Sequence, residues 1–495
     1  MTMSEPSAVP KSLPVPGPWR RRLVKSFIIL LVIILPLLGI YLYQRLAVDR
    51  DLADAIAELD RSDPDWRLDD VLARRQPIPD EQNSATIIRA AHKLLPKGWN
   101  VKLPDIEDTP PPVQLPTNVA HTLDVEMKAL AAALAEARKL AKYPNGRLKV
   151  VYAPDFISTL VVPEIQNARA ISELLKLDCW DRLQKRDLEG ALTDCRALLN
   201  TARAIGDEPF FISQLVRIAM ESITIGSLER TLAQGELRAS LLSETQKAFE
   251  KEAAETLFHF GALGERGGMD RLFRGLENGT VNIKPLTSIM RGMKNSPEPG
   301  IWDRVEEHFP ANMIKRSHAW VLRKLTEAIE ADKLKGFEKN QALKKIHDSV
   351  RSQEARKEVP ALAKDLFLPV FKIAEAEQRT DSLLYCAVAA LAAEQFRLNN
   401  KRWPESLDEL VKARLLKEVP IDLFTGQPLG SRTTKDGLVI YSVGPKGTYD
   451  GKALDNLHAI DPTVQRLEFR LWNVESRRQP AWPAKPKPRV DGPGS

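Results

Sequence analysis

Along the chain, apolar and polar positions follow three different patterns. The first apolar run has no period at all: "WRRRLVKSFIILLVIILPLLGIYLYQRLA" holds 19 uncharged residues from Ser26 to Gln44, most of them Ile, Leu and Val. At about 1.5 Å per residue such a helix nearly spans a hydrocarbon core of about 30 Å. Trp19 on one side and Tyr41 and Tyr43 on the other suit the two interfaces. A transmembrane helix over 23–45 is expected. A cleaved signal peptide is the rival reading. Cleavage after Ala47 would want a small residue where Arg45 stands.

Beyond Arg45 the pattern becomes helical. "DRDLADAIAELDRSDPDW" predicts a helix stopped at Asp63-Pro64, and "WRLDDVLARR" and "EQNSATIIRAAHKLL" predict two more. "VKLPDIEDTPPPVQLPTN" carries five prolines and predicts an extended connector. "HTLDVEMKALAAALAEARKLAKY" predicts one long helix. In "QNARAISELLKLDCWDRLQKRDLEGALTDCRALLNTARAIGD", Ile171, Leu174, Leu175, Cys179 and Leu183 form one stripe. Leu188, Ala191, Leu192, Cys195, Leu199, Ala202 and Ile205 form another. The polar "KRD" between them predicts an αα-hairpin. "FISQLVRIAMESITIGSLERTLAQG" and "HAWVLRKLTEAIEADKL" continue in kind, and the glycines of "GALGERGGMDRLFRG" suggest a loop between helices.

The period changes again towards the end. A long helix is expected from about Lys364 to Leu398, ending at Asn399-Asn400. Ser406 and Glu409 have the spacing of a capping box for a short helix. "VPIDLFTGQPLG" is turn chemistry, and the Asp436-Gly437 pair of "TTKDG" favours a type I′ hairpin leading into the strand "LVIYSV". Leu467, Phe469 and Leu471 alternate with Glu468 and Arg470 as a last strand. The expected fold is mainly α, with a C-terminal α+β module. The expected divisions are a cytoplasmic tail 1–22, the transmembrane helix 23–45, an extracytoplasmic helical region with αα-hairpins 46–358, the α+β module 359–476 and a disordered basic, Pro-rich tail 477–495.

Charge sets the orientation and removes one class of partner. The net charge is +6, but Lys11, Arg20, Arg21, Arg22 and Lys25 against Glu5 account for +4 of it. No concentrated basic face is left for nucleic acid. The cationic cluster precedes the span, so the positive-inside rule puts the N-terminus in the cytoplasm and the bulk of the chain outside.

Cys179 and Cys195 lie symmetrically about Asp187, at the centre of the expected hairpin turn. That symmetry puts them at one height on facing stripes, where an oxidising compartment would allow a disulfide. Buried core thiols are the alternative, and Cys386, in "YCAVAALAAEQF", reads as core. Catalytic signatures are missing: no H-E-x-x-H, no G-x-S-x-G, and "GTYDGK" falls short of a phosphate-binding loop. No enzyme activity and no cofactor are expected.

The order of a long helix, "RLNNKRWPESLDELV", "VPIDLFTGQPL" and "GLVIYSVGPKGTYDG" resembles the soluble head of the type II secretion major pseudopilins, over about 100 residues. The whole layout resembles bacterial families of membrane-anchored helical proteins that end in such a module. In the pseudopilins the membrane span is the first half of the same helix, whereas here it lies far upstream. The resemblance implies a calcium site in "GPKGTYDGKALDN", with Asp450 and Asp455 as carboxylate ligands; an exposed polar loop is the alternative. The implied function is structural or interaction-based in the bacterial envelope, with protein partners besides the inner membrane. An extracytoplasmic enzyme and an accessory component of a secretion-type assembly are the competing readings.

Overall fold

The computed structural model describes residues 18–99, 106, 109–153, 156, 163–281, 311–448 and 467–482. The order of helices is α1 Pro18–Ser62, α2 Leu68–Ala73, α3 Ser84–Lys93, α4 Thr117–Ala129, α5 Ala131–Ala137, α6 Pro163–Gln184 and α7 Leu188–Arg203. There follow α8 Phe211–Ala233, α9 Ala239–Glu252, α10 Leu257–Glu277, α11 Ala311–Asp332, α12 Gly336–Ala355, α13 Ala361–Asn400 and α14 Asp408–Lys412. One antiparallel sheet, in the order β1–β2–β3, is built from Gly430–Thr434, Gly437–Tyr441 and Glu468–Trp472.

The apolar span and the helix expected after it are a single helix. α1 is long and apolar enough to cross a membrane, and its side chains from Phe27 to Leu46 are exposed. Its last third turns into the body: Leu52 and Ala55 pack on Ala319 of α11, and Leu59 packs on Leu322. Asp49 meets Lys315 at 2.6 Å and Asp51 meets Arg323 at 2.7 Å. Low numbers on α1 meet low numbers on α11, so the two helices run parallel.

The α6–α7 hairpin forms as its stripes predict. Arg186 takes a left-handed φ of 63° in the turn, and Asp187 Oδ1 accepts the Gly190 N–H at 2.9 Å to cap α7. The expected long helix after His121 is instead broken at Leu130 into α4 and α5. The glycine-rich segment also departs from expectation, since α10 runs straight through it. A Cβ at Gly264 would strike the Pro209 carbonyl, one at Gly267 the Leu68 backbone, and one at Gly268 the Phe156 ring. These glycines let distant chain segments approach a helix, and they do not make a loop.

At the C-terminal end three local expectations shift. The two-residue hairpin loop is Lys435-Asp436, because Gly437 pairs with Thr434 as the first residue of β2. Gly437 is needed for another reason: a Cβ there would strike the Leu471 carbonyl of β3. The capping box does not form, since Glu409 is taken by Arg402 at 2.9 Å and α14 begins after Leu407 without a side-chain cap. The tail also begins later than Arg477. Arg478 donates to the Leu183 and Gln184 carbonyls at the end of α6, and its N–H donates to the Ala233 carbonyl at the end of α8. Gln479 forms a parallel bridge with Val113. A basic stretch packs here because helix C-termini leave carbonyls in need of donors.

The sheet does not have a core of its own. Leu438, Ile440, Phe469 and Leu471 share one apolar cluster with Leu384–Phe396 of α13, and also with Cys179, Leu192, Leu228 and Phe249 of the upstream helices. Pro360 is the N-cap of α13, next to the expected module boundary at 359. The packing, however, runs across it.

Candidate functional site

Asp422, in the middle of "VPIDLFTGQPLG", fixes the turn to the strand that follows. Its Oδ1 accepts the Phe424 N–H at 2.8 Å and the Ser442 hydroxyl at 3.0 Å, while Oδ2 accepts the Val443 N–H at 2.8 Å. One carboxylate thus replaces three lost backbone or hydroxyl partners, so that the loop closes on "YSVG". It is a positioning group.

The densest chemistry lies deeper, where α7 to α13 converge. On α8, Arg217 and Glu221 stand one turn apart, with nitrogen and oxygen 3.4 Å apart. Arg217 donates to Glu252 Oε1 from Nε at 2.9 Å and from Nη2 at 2.5 Å, and to the Gly206 carbonyl at 3.1 Å. Arg203 of α7 closes on the other oxygen of Glu252 and donates to the Ala248 carbonyl at 2.6 Å. Glu221 and Glu252 are almost fully buried.

The cluster continues through α13. Glu377 accepts the Phe258 N–H at the start of α10 at 2.7 Å and binds Lys339 Nζ at 2.7 Å. Lys339 also reaches Asp332 at 2.7 Å, and Asp332 meets His259 Nδ1 at 3.0 Å. His259 is the rim of the network, 31 % exposed, whereas Asp332 behind it is buried. Asp381, one turn after Glu377, faces Glu377, Lys339, Glu252 and Asp332.

Five acids, Glu221, Glu252, Asp332, Glu377 and Asp381, meet three cations, Arg203, Arg217 and Lys339, with His259 at the rim beside Asp332. Burial, and then Glu252, pushes the Glu221 carboxyl well up. Burial, and then Glu377, does the same to Asp381. Burial alone would raise Glu252, but Arg217 and Arg203 hold it at about 2. Asp332 is likewise held below its usual range, with His259 and Lys339 outweighing burial. Burial and Asp381 push the Tyr385 phenol up to about 12. Glu221 and Asp381 are therefore the two acids of the cluster whose surroundings favour the protonated form.

Sequence reading missed these groups. Glu377 and Asp381, four apart, sit just before the alanine-rich stretch of α13, and Arg217 and Glu221, four apart, lie within the apolar "LVRIAMESI". Charges four apart within or beside an apolar stripe, opposed at Arg217 and Glu221 and alike at Glu377 and Asp381, were the available signal.

The expected site residues fare differently. Cys179 and Cys195 are brought together, each sulfur 3.6 Å from Thr231 Oγ1 of α8. They are free thiols in this structure, fully buried. The contact with Cys195, and then burial, pushes the Cys179 thiol well up, away from the reactive thiolate. Nearby, Arg138 holds Asp178 through two hydrogen bonds of 2.7 Å, and burial with Asp178 raises Asp194. Cys386 is core, its thiol pushed up by burial. Asp450 and Asp455 lie outside the described residues, and among the described residues no group of three His, Cys, Asp or Glu is placed to hold a metal. No protein-family model, curated protein or solved structure matches the chain.

Proposed function

We propose that this chain is a single-pass, membrane-anchored structural or interaction protein of the bacterial envelope, its body outside the cytoplasm. The observation that carries this reading is α1. Its uncharged run is exposed, and the same helix, without a joint, packs its last third into the body. A continuous helix of this kind, with Pro36 inside its apolar run, mounts the body directly on the bilayer, as suits a scaffold. The cations Arg20, Arg21, Arg22 and Lys25 before the run favour an N-terminus inside.

The C-terminal unit acts, in this reading, as a pseudopilin-like head that meets protein partners. What supports it is the order of parts: the long α13, the turn fixed by Asp422, and the antiparallel β1–β2–β3 meander lying on α13. The ion pairs of Glu252, Asp332 and Glu377 with Arg203, Arg217 and Lys339 support an internal role for the charge cluster. A topology test decides the anchored reading. A reporter active only outside the cytoplasm should be active when fused after Ser495. Activity of the same reporter fused before Trp19 would overturn the orientation, and release of the intact chain from membranes by alkaline carbonate would overturn the anchor.

A further inference from the structure

We propose that the first turn of α11 lies in the lipid headgroup layer, so that the body stands on the membrane surface on a foot made from α1 and α11. The inference rests on the membrane reading of α1 and adds where the body sits. The parallel register supplies the geometry: Asp49 is level with Lys315, Ala55 with Ala319 and Leu59 with Leu322. Ala311 stands four residues before Lys315, as Arg45 stands four before Asp49. The start of α11 is therefore level with the end of the uncharged run. Four helical residues rise about 6 Å, and the headgroup layer is itself only about 6 Å deep on each face. Lys315 and everything before it on α11 falls within that depth.

The chemistry at this level fits phospholipid. Arg45, Arg50 and Arg316 are exposed and have no ion-pair partner among the described residues, while Lys315 is neutralised by Asp49. Lipid phosphates are the anions present at that depth, and an exposed guanidinium binds phosphate through two parallel hydrogen bonds.

The test uses the full chain in vesicles and an environment-sensitive fluorophore on one introduced cysteine, the native cysteines being buried. The sites are Val32→Cys in the span, Asn312→Cys in the foot, and Glu330→Cys, about 27 Å further along α11. Nitroxide lipids carry the quencher either on the headgroup or within the acyl chain. The expected result is loss of fluorescence from position 32 with acyl-chain nitroxide, loss from position 312 with headgroup nitroxide, and no loss from position 330. If position 32 is quenched and position 312 behaves like position 330, the foot is wrong and the span stands. If position 32 is not quenched by acyl-chain nitroxide, the span itself fails, and the foot with it. For the arginines, headgroup nitroxide on an anionic lipid should quench position 312 more than on a zwitterionic lipid at equal fraction. The triple change Arg45→Gln, Arg50→Gln, Arg316→Gln should abolish that difference, and equal quenching in the unchanged chain would overturn their role.

Discussion

Two neighbouring stretches of α13 are held by opposite physics. From Leu384 to Phe396 the helix presents mostly alanine and leucine to the sheet and to α8 and α9, buried except at Tyr385, with Glu394 as its one buried charge. One turn earlier, Glu377 and Asp381 face Lys339 and the carboxyls of Glu252, Asp332 and Glu221. The apolar stretch depends on shape and tolerates any partner that fits. The charged stretch depends on a particular set of groups in a particular protonation state. The difference teaches where this protein is stable and where it is specific, because buried ion clusters add little net stability but are costly to leave half made.

The largest test of that comparison removes one side of the apolar stretch. A fragment from Pro360 to Ser476 keeps α13 and the sheet but loses Cys179, Leu192, Leu228 and Phe249 from the shared cluster. It is expected to be insoluble or to lack a cooperative melt. A soluble fragment that unfolds in one step would show that the sheet and α13 suffice as a core.

Single changes come next. Arg217→Ala leaves Glu252 buried beside Arg203 alone and should cost about 3–5 kcal/mol, read as a lower denaturation midpoint. Phe469→Ala, in the apolar stretch, should cost a similar ~3–5 kcal/mol through its cavity. The two differ in how they respond to pH: the midpoint loss from Phe469→Ala should be constant, and that from Arg217→Ala should shrink as Glu252 is protonated in acid.

The sharpest distinction comes from amides. If Glu221 and Asp381 carry protons, Glu221→Gln and Asp381→Asn should each cost under ~1 kcal/mol at neutral pH, whereas Glu252→Gln should cost more. The sign with pH follows from the raised values. Glu221 and Asp381 contribute stability that is complete below the unfolded carboxyl range of about 4, and it is lost as pH rises through their folded values. Glu252, held at about 2, contributes stability present above that range and lost as pH falls towards 2. Stability of the double amide variant should therefore decline less with rising pH than that of the parent chain, a difference visible in midpoints measured across pH.

The smallest expected effect concerns the thiols. Mass measurement after thiol blocking in denaturant should find three alkylated cysteines, as the free thiols at Cys179, Cys195 and Cys386 require. One alkylated cysteine would instead show that Cys179 and Cys195 pair before α8 covers them.

What could be read from the chain and what could not follows the same divide. The α6–α7 hairpin was legible because both stripes and the "KRD" turn are local, and the meeting of Cys179 and Cys195 followed from them. The path of α10 was not legible, since its glycines answer to Pro209, Leu68 and Phe156, far away in the chain. Gly437 misled in the same way, because its constraint comes from β3 and not from the hairpin. The charge cluster draws single residues from α7 to α13, so that no window of sequence contains it. Only its two i,i+4 pairs left a local trace.

The contacts of Arg477, Arg478 and Gln479 have a bearing on the order of synthesis. The carbonyls that end α6 and α8 are completed by residues translated almost 300 and about 240 positions later, in a chain made from the N-terminus onward. Arg477 also binds Glu394 through two hydrogen bonds of 2.9 Å, tying α13 to the same knot. The helices therefore emerge with their ends unfinished, and a ribosome that stalls before Arg477 releases a chain whose oldest hairpin still lacks its final donors. The ends of α6 and α8 are thus completed only once Arg477 and Arg478 have been made, so a chain that reaches them is distinguished from one cut short before them by helices made much earlier.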